Sequence, residues 1–240
     1  MDPDGTDALR RALADPANVR LDGVHALKHA LRFGAEVERV VSPDPGALHR
    51  LLAELAPDVA LPVAVEGVTA GTWRALVGPR GLPSPALALA RRPAGTLDEA
   101  LAAPGRLVVV EAPRHLGNLG AVVRVAAAAG AAGVLVVGDA DPWHPTALRA
   151  AAGLHFALTV LTLDALPERL GGRTVVGLDP AGESLAAALP TDAVVVLGTE
   201  RGGLSPAMRA RVDRTVAVPM RAGVSSLNLA TAAAAVLLAR

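Results

Sequence analysis

From residue 105 onward one pattern recurs six times. The apolar, β-branched runs RLVVVE, GVLVVG, FALTVLT, RTVVGL, DAVVVLG and RTVAVP are separated by stretches of helical character. Strands with one wet face alternate apolar and polar residues, whereas runs apolar at successive positions need cover on both faces. Alternation with helices supplies that cover, so an α/β fold with a mostly parallel sheet is expected. Such sheets bind ligands at the carboxyl ends of their strands, which is where chemistry should be sought.

Before this region, residues 21–93 hold shorter elements. DGVHALKHALRFG reads as an amphipathic helix ending at Gly34, VERVVS as a strand, GALHRLLAELA as a helix and PVAVEG as a short strand. A helical TAGTWRALVG and the apolar PALALARRP follow. AGTLDEALAAP, residues 94–104, reads as a linker with a helical turn. The expected organisation of the 240 residues is therefore an N-terminal domain over 1–93, a linker over 94–104 and a second domain over 105–240.

Composition excludes several classes. The 23 basic and 23 acidic side chains cancel, so no global field draws in nucleic acid, although a local basic face is compatible with that balance. Cysteine is absent, which removes disulfides, thiolate metal sites and a cysteine nucleophile. The opening MDPDGTDALRRALAD is acidic and polar, unlike a secretory signal, and no charge-free apolar run has the length of a membrane span. A soluble, cytoplasmic protein without a membrane partner is expected.

Three strand exits stand out. RLVVVEAP leads into GNLGAVVR; VVVLGTERGGLS carries Gly198, Glu200, Gly202 and Gly203; and in VAVPMRAGVSSLNLATAAAAVLLAR a strand meets Pro219 and a loop before Ser226, Leu227 and Asn228 open the last helix. Taken singly, Asn118 and Ser226 read as helix N-caps, Gly130 as a helix stop, and Gly202 and Gly203 as turn glycines. Arg124, flanked by Val122, Val123 and Val125, must reach solvent or a partner. An NAD(P)-dependent oxidoreductase would use the first of these turns with Asp139 or Asp141. Its fingerprint needs G-x-G-x-x-G, however, and Gly117 and Gly120 are spaced G-x-x-G. A non-catalytic RNA-binding protein is a third reading.

Taken together and in this order, the exits resemble the three signature motifs of the SpoU-type RNA ribose methyltransferases of the SPOUT superfamily. Asn118 to Arg124 matches an Asn-x-Gly-x-x-x-Arg stretch, Leu197 to Leu204 a Leu-Gly-x-Glu-x-x-Gly-Leu stretch, and Pro219 to Asn228 a Pro-Met loop followed by Ser-Leu-Asn. The resemblance implies a parallel sheet closed by a C-terminal trefoil knot, an exception to the rule that chains do not knot. It further implies that S-adenosylmethionine is bound at Leu197, Gly198, Val218, Met220 and Leu227. Arg124 corresponds to the family's catalytic arginine, with Asn118, Glu200, Ser226 and Asn228 orienting it, the ribose and the loops. With a free pKa above about 12, an arginine suits electrostatic stabilisation of a developing alkoxide better than proton abstraction.

The resemblance also implies a homodimer with the knot region at its interface, and methylation of an RNA ribose 2′-hydroxyl. Residues 21–93 look like the ribosomal-protein-like α/β RNA-binding domain fused to many family members, which favours rRNA over tRNA as substrate. Arg20, Lys28, Arg32, Arg91 and Arg92 are its candidate RNA contacts. His25 and His29 share a helix face at a spacing compatible with a metal, but no third ligand lies nearby in sequence, so no metal is expected. Two positions depart from the family pattern: Ala151 or Ala152 stands where a serine is common, and Ala230 replaces a second serine after Ser-Leu-Asn.

Overall fold

A computed structural model of the chain describes residues 3–185 and 189–239. These residues divide into two compact units. One is formed by residues up to Ala94 together with Ala152–Phe156, and the other by Gly95–Ala151 and the residues from Ala157 onward.

The first unit contains, in chain order, α1 (Pro3–Ala14), β1 (Asn18–Asp22), α2 (Val24–Arg32), β2 (Val37–Ser42), α3 (Pro45–Leu55), β3 (Val65–Gly67), α4 (Ala70–Val77) and β4 (Leu87–Arg91). Its four strands lie in the order β1-β4-β2-β3. β4 runs antiparallel to both neighbours, whereas β2 and β3 are parallel. Two starts are set by local chemistry. Asp44 accepts the amide of Ala47 ahead of Pro45 at the head of α3, and Thr69 accepts that of Thr72 at α4. The apolar LALAR becomes an inner strand with Leu87 to Ala90 buried. β1, NVRLD, alternates half-buried polar with buried apolar residues, and its Arg20 is paired with Asp22. His29, expected to pack or touch RNA, is half-buried with its Nδ1 2.8 Å from the Ala152 carbonyl oxygen. Burial lowers its pKa, and the carbonyl only partly opposes that.

The second unit runs α5 (Leu97–Ala102), β5 (Leu107–Glu111), α6 (Leu116–Ala128), β6 (Gly133–Val137), α7 (Pro145–Ala150), β7 (Thr159–Leu163), β8 (Val175–Ser184), β9 (Val194–Leu197), α8 (Pro206–Arg209), β10 (Arg214–Ala217) and α9 (Leu229–Leu237). The six expected runs are its six strands, in the order β10-β8-β9-β5-β6-β7, and every neighbouring pair is parallel. Val108, Val109 and Val110 of β5 and Val194, Val195 and Val196 of β9 are fully buried, as strands covered on both faces require. α5 is set by a capping box between Thr96 and Glu99, and its Ala100 is buried against Leu107 and Val109. The stretch read as a linker therefore contributes to this core.

α6 answers why an arginine interrupts its apolar sequence. Leu119, Gly120, Val122, Val123 and Ala126 form the buried face, while Gly117, Arg124 and Ala128 recur on the exposed one. Gly120 is needed for packing, because a Cβ there would lie 2.1 Å from the carbonyl oxygen of Ala147 in α7. After α6, Gly130 adopts φ 67° and ends the helix as its sequence position suggested. No helix among the described residues is long and apolar enough to cross a membrane.

Candidate active site

Parallel strands leave a sheet at one edge, so β5, β9 and β10 deliver three sequence-distant loops to the same side. The first is Ala112–His115, entering α6. Its Ala112 has φ 39°, a left-handed conformation costly for a residue with a side chain. The second is residues 198–205, entering α8. Here Thr199 and Gly203 exchange backbone hydrogen bonds, Gly202 donates to the Thr199 hydroxyl at 3.0 Å, and Gly203 takes φ 64°, the turn role expected of it. The third is residues 218–228, entering α9.

Hydrogen bonds join these loops into one structure. Glu200 accepts the amides of Arg114 and His115 at 3.1 and 3.2 Å, one on each carboxylate oxygen. Asn118 Oδ1 accepts from Asn228 Nδ2 at 3.0 Å. Asn228 Oδ1 receives the amide of Ala230 and so caps α9. The simple cap readings are thereby corrected: α6 is preceded by His115, which makes no side-chain cap bond, Asn118 lies in the first helical turn, and Asn228 rather than Ser226 caps α9. Behind this chain, the buried Glu111 at the end of β5 accepts the amide of Ser205 at 3.0 Å, tying the second loop to the central strand.

The loops enclose a cleft of about 580 Å³. Of the residues singled out from sequence, Asn118, Glu200, Ser226, Asn228, Leu197, Gly198, Val218, Met220 and Leu227 all line it. Arg124 does not; it is exposed on α6, outside the cleft lining. Gly198 is fixed by sterics, since a Cβ there would come within 2.2 Å of the Gly203 carbonyl carbon. Sequence reading missed His115, Thr199, Arg201, Asp179 and Arg209, which also line the cleft. Arg209 comes from the end of α8, and Asp179 arrives through an irregularity in β8. Thr215 of β10 pairs with Gly177 but Val216 with Glu183, so the residues between bulge out, carrying Leu178, Asp179 and Pro180 to the cleft. The Asp-Pro-Ala-Gly turn signal inside an apolar run was the available clue.

Two carboxylates here hold their charge firmly. Burial alone would raise the Glu200 pKa, but the amides of Arg114, Glu200 itself and His115, with the Asn118 side chain, outweigh it and bring the value below the ordinary range. Asp179 is likewise lowered, first by the amide of Ala181 and then by the guanidinium of Arg209. Of the two acids open to the oxidoreductase reading, Asp139 and Asp141, the second accepts the amide of Trp143 at 3.0 Å. No group of three His, Asp or Glu side chains suited to a metal ion occurs among the described residues.

Known proteins give this geometry a setting. The chain is 33% identical over 171 residues to the 23S rRNA (uridine(2479)-2'-O)-methyltransferase of Streptomyces viridochromogenes, covering 65% of this chain and 59% of that relative. To the 23S rRNA (guanosine(2553)-2'-O)-methyltransferase RlmP of Bacillus subtilis it is 32% identical over 145 residues, 57% of this chain and 58% of the relative. It thus spans less than two thirds of the length of these curated relatives. Among solved structures, the SpoU methyltransferase AviRb of Streptomyces viridochromogenes in complex with the cofactor AdoMet superposes with a TM-score of 0.79 at 25% identity, over 99% of this chain and 96% of that one. An RNA 2'-O ribose methyltransferase gives a TM-score of 0.77 at 27% identity, over 99% and 94% of the two chains. The model of the SpoU rRNA Methylase family matches residues 105–238, the span that contains all three loops and the whole cleft. The chain belongs to the SpoU rRNA Methylase family.

Proposed function

We propose that the protein transfers a methyl group from S-adenosylmethionine to a ribose 2′-hydroxyl of RNA, with rRNA favoured over tRNA. The observation that carries this reading is the set of hydrogen bonds from the Arg114 and His115 amides to Glu200 and from Asn228 to Asn118, which unites the three motif loops around one cleft. The cleft fits the cofactor. Gly198 and Gly203 keep side chains out of one wall, and Leu197, Val218, Met220 and Leu227 give the apolar surface an adenosyl group needs. When bound, S-adenosylmethionine supplies an electrophilic methyl group on a sulfonium.

The chain's own residues then have separable tasks. Gly198, Val218 and Leu227 meet the cofactor largely through backbone groups. Glu200, Asn118, Ser226 and Asn228 hold the loops and the ribose. Arg124 stabilises negative charge developing on the 2′-oxygen and grips the adjacent phosphate. Because Arg124 is exposed outside the cleft of its own chain, we place the reaction in a homodimer with the site at the subunit interface. The half-exposed Val224 and Leu238 and the partly exposed Leu227 supply apolar surface for such an interface. The reading includes a trefoil knot formed by the C-terminal segment, residues 1–93 as a ribosomal-protein-like RNA-binding domain, residues 94–104 joining it to a catalytic domain over 105–240, and a cytoplasmic location.

Calorimetric titration with S-adenosylmethionine and with NADH tests the assignment. Micromolar binding of the first and none of the second is expected; the reverse would overturn it.

A further inference from the structure

The family resemblance places RNA recognition in the first unit, yet Arg20, Arg32, Arg39 and Arg91 there are already occupied. Arg32 forks onto Asp58 through two bonds of 2.8 and 2.6 Å, and Arg39 onto Glu66 through 2.9 and 2.6 Å. Arg91 pairs with Glu38 at 2.6 Å. Arg20 is shared between Asp22 and the Leu76 carbonyl. Three of the five candidates named from sequence, Arg20, Arg32 and Arg91, would have to give up a carboxylate before taking a phosphate.

Around the cleft, Arg209 is held by Asp179, but three other arginines are not so held. Arg114, Arg201 and Arg221 are exposed and make no ion pair among the described residues. They belong to the three loops in turn, after β5, β9 and β10. The Arg114 amide donates to Glu200, Arg201 itself lines the cleft, and Arg221 follows the lining residue Met220. The nearby carboxylates are turned away from solvent tasks: Glu200 onto loop amides, Glu111 onto Ser205, and Asp179 onto Arg209. Each of the three converging loops therefore presents one guanidinium group without an ion pair among the described residues.

We propose that Arg114, Arg201 and Arg221 form a phosphate-binding rim that seats the RNA backbone at the mouth of the cleft, so that much of the electrostatic RNA affinity belongs to the second unit. This deepens the methyltransferase reading and rests on it for the identity of the polyanion. Guanidinium groups grip phosphate in a bidentate fork, and each phosphate so neutralised releases counterions. Three contacts around one opening also fix the backbone's direction across it, which places one ribose at the cleft.

The test is binding of a 30-nucleotide RNA hairpin to the full chain across a salt series, without cofactor. Arg114→Gln/Arg201→Gln/Arg221→Gln should weaken binding roughly tenfold or more and flatten the logarithmic salt slope by about two units, close to 0.7–0.9 per lost contact. The corresponding triple lysine variant should keep most of the slope. Arg32→Gln/Arg39→Gln should leave it unchanged. S-adenosylmethionine affinity of Arg114→Gln/Arg221→Gln, measured separately, should stay within a few-fold of the parent and reports that the cleft is intact. An unchanged slope in the rim variant, loss of slope in the Arg32/Arg39 variant instead, or no hairpin binding by the parent chain would each overturn the rim. A parent that binds hairpin through the rim but not S-adenosylmethionine would leave the rim standing and overturn the methyltransferase reading.

Discussion

Asn228 Nδ2 donates to Asn118 Oδ1 across 3.0 Å and 110 positions of sequence, while its own Oδ1 caps α9 through the amide of Ala230. One side chain thus fixes both the last helix and the link to α6. Asn228→Asp keeps an acceptor for the cap but replaces the donor with a second acceptor facing Asn118. It should cost less than about 1 kcal/mol of stability in urea unfolding, because Asp and Asn cap about equally well. S-adenosylmethionine affinity, read by calorimetry, should fall roughly tenfold for the lost bond. Equal affinity in the variant would show that the Asn–Asn link does not shape the cleft.

Glu200 gives a pH signature. Its folded pKa lies below the ordinary carboxylate range, so its contribution to stability is present above the unfolded value and is lost as pH falls through the folded one. The stability difference between the parent chain and Glu200→Gln should therefore be largest near neutrality and close on acidification. Because Glu200 is only partly buried, the difference should be modest. A gap that widens toward acid would mean the carboxylate is held protonated.

Gly198→Ala should abolish cofactor binding. A Cβ there collides with backbone of Gly203 and Leu204 within 2.4 Å, so the loop carrying Glu200 must open. Gly202→Ala meets only the Thr199 hydroxyl at 3.1 Å and should lose a few-fold. Calorimetry on both, with circular dichroism to verify the fold, separates the two; equal tolerance would remove Gly198 from the binding wall.

Much of the fold was legible because burial on both faces leaves an unmistakable pattern. Val108 to Val110 and Val194 to Val196 have no polar interruption, and each run became a strand. β1 was missed because NVRLD is short and carries Arg20 and Asp22, whose pairing exists only once the sheet has formed. At the site, the motif residues were readable as types in order, but which of them meet was not. The Asn118–Asn228 bond depends on α9, which follows the edge strand β10, returning beside α6, which follows β5. Asp179 was missed because it reaches the cleft through a register shift between β8 and β10, which side-chain periodicity does not encode and only the Asp-Pro-Ala-Gly turn signal hints at.

Arg124→Ala should leave S-adenosylmethionine affinity within a few-fold and lower turnover roughly a hundredfold or more, the scale of losing one transition-state donor. If the site lies at a dimer interface and Arg124 serves the second copy's cleft, mixing inactive Arg124→Ala with inactive Gly198→Ala subunits should restore roughly a quarter of parental turnover, since half of random dimers carry one intact site. Full-length activity from a monomer in light scattering at micromolar concentration, or no recovery on mixing, would put Arg124 to work within its own chain.

The most direct measurement is nucleoside mass spectrometry of rRNA incubated with the purified protein and S-adenosylmethionine carrying a deuterated methyl group. A labelled 2′-O-methylnucleoside whose rate of formation falls roughly a hundredfold or more with Arg124→Ala is the predicted result. Label on a base, or none on any nucleoside, would contradict ribose methylation by this cleft.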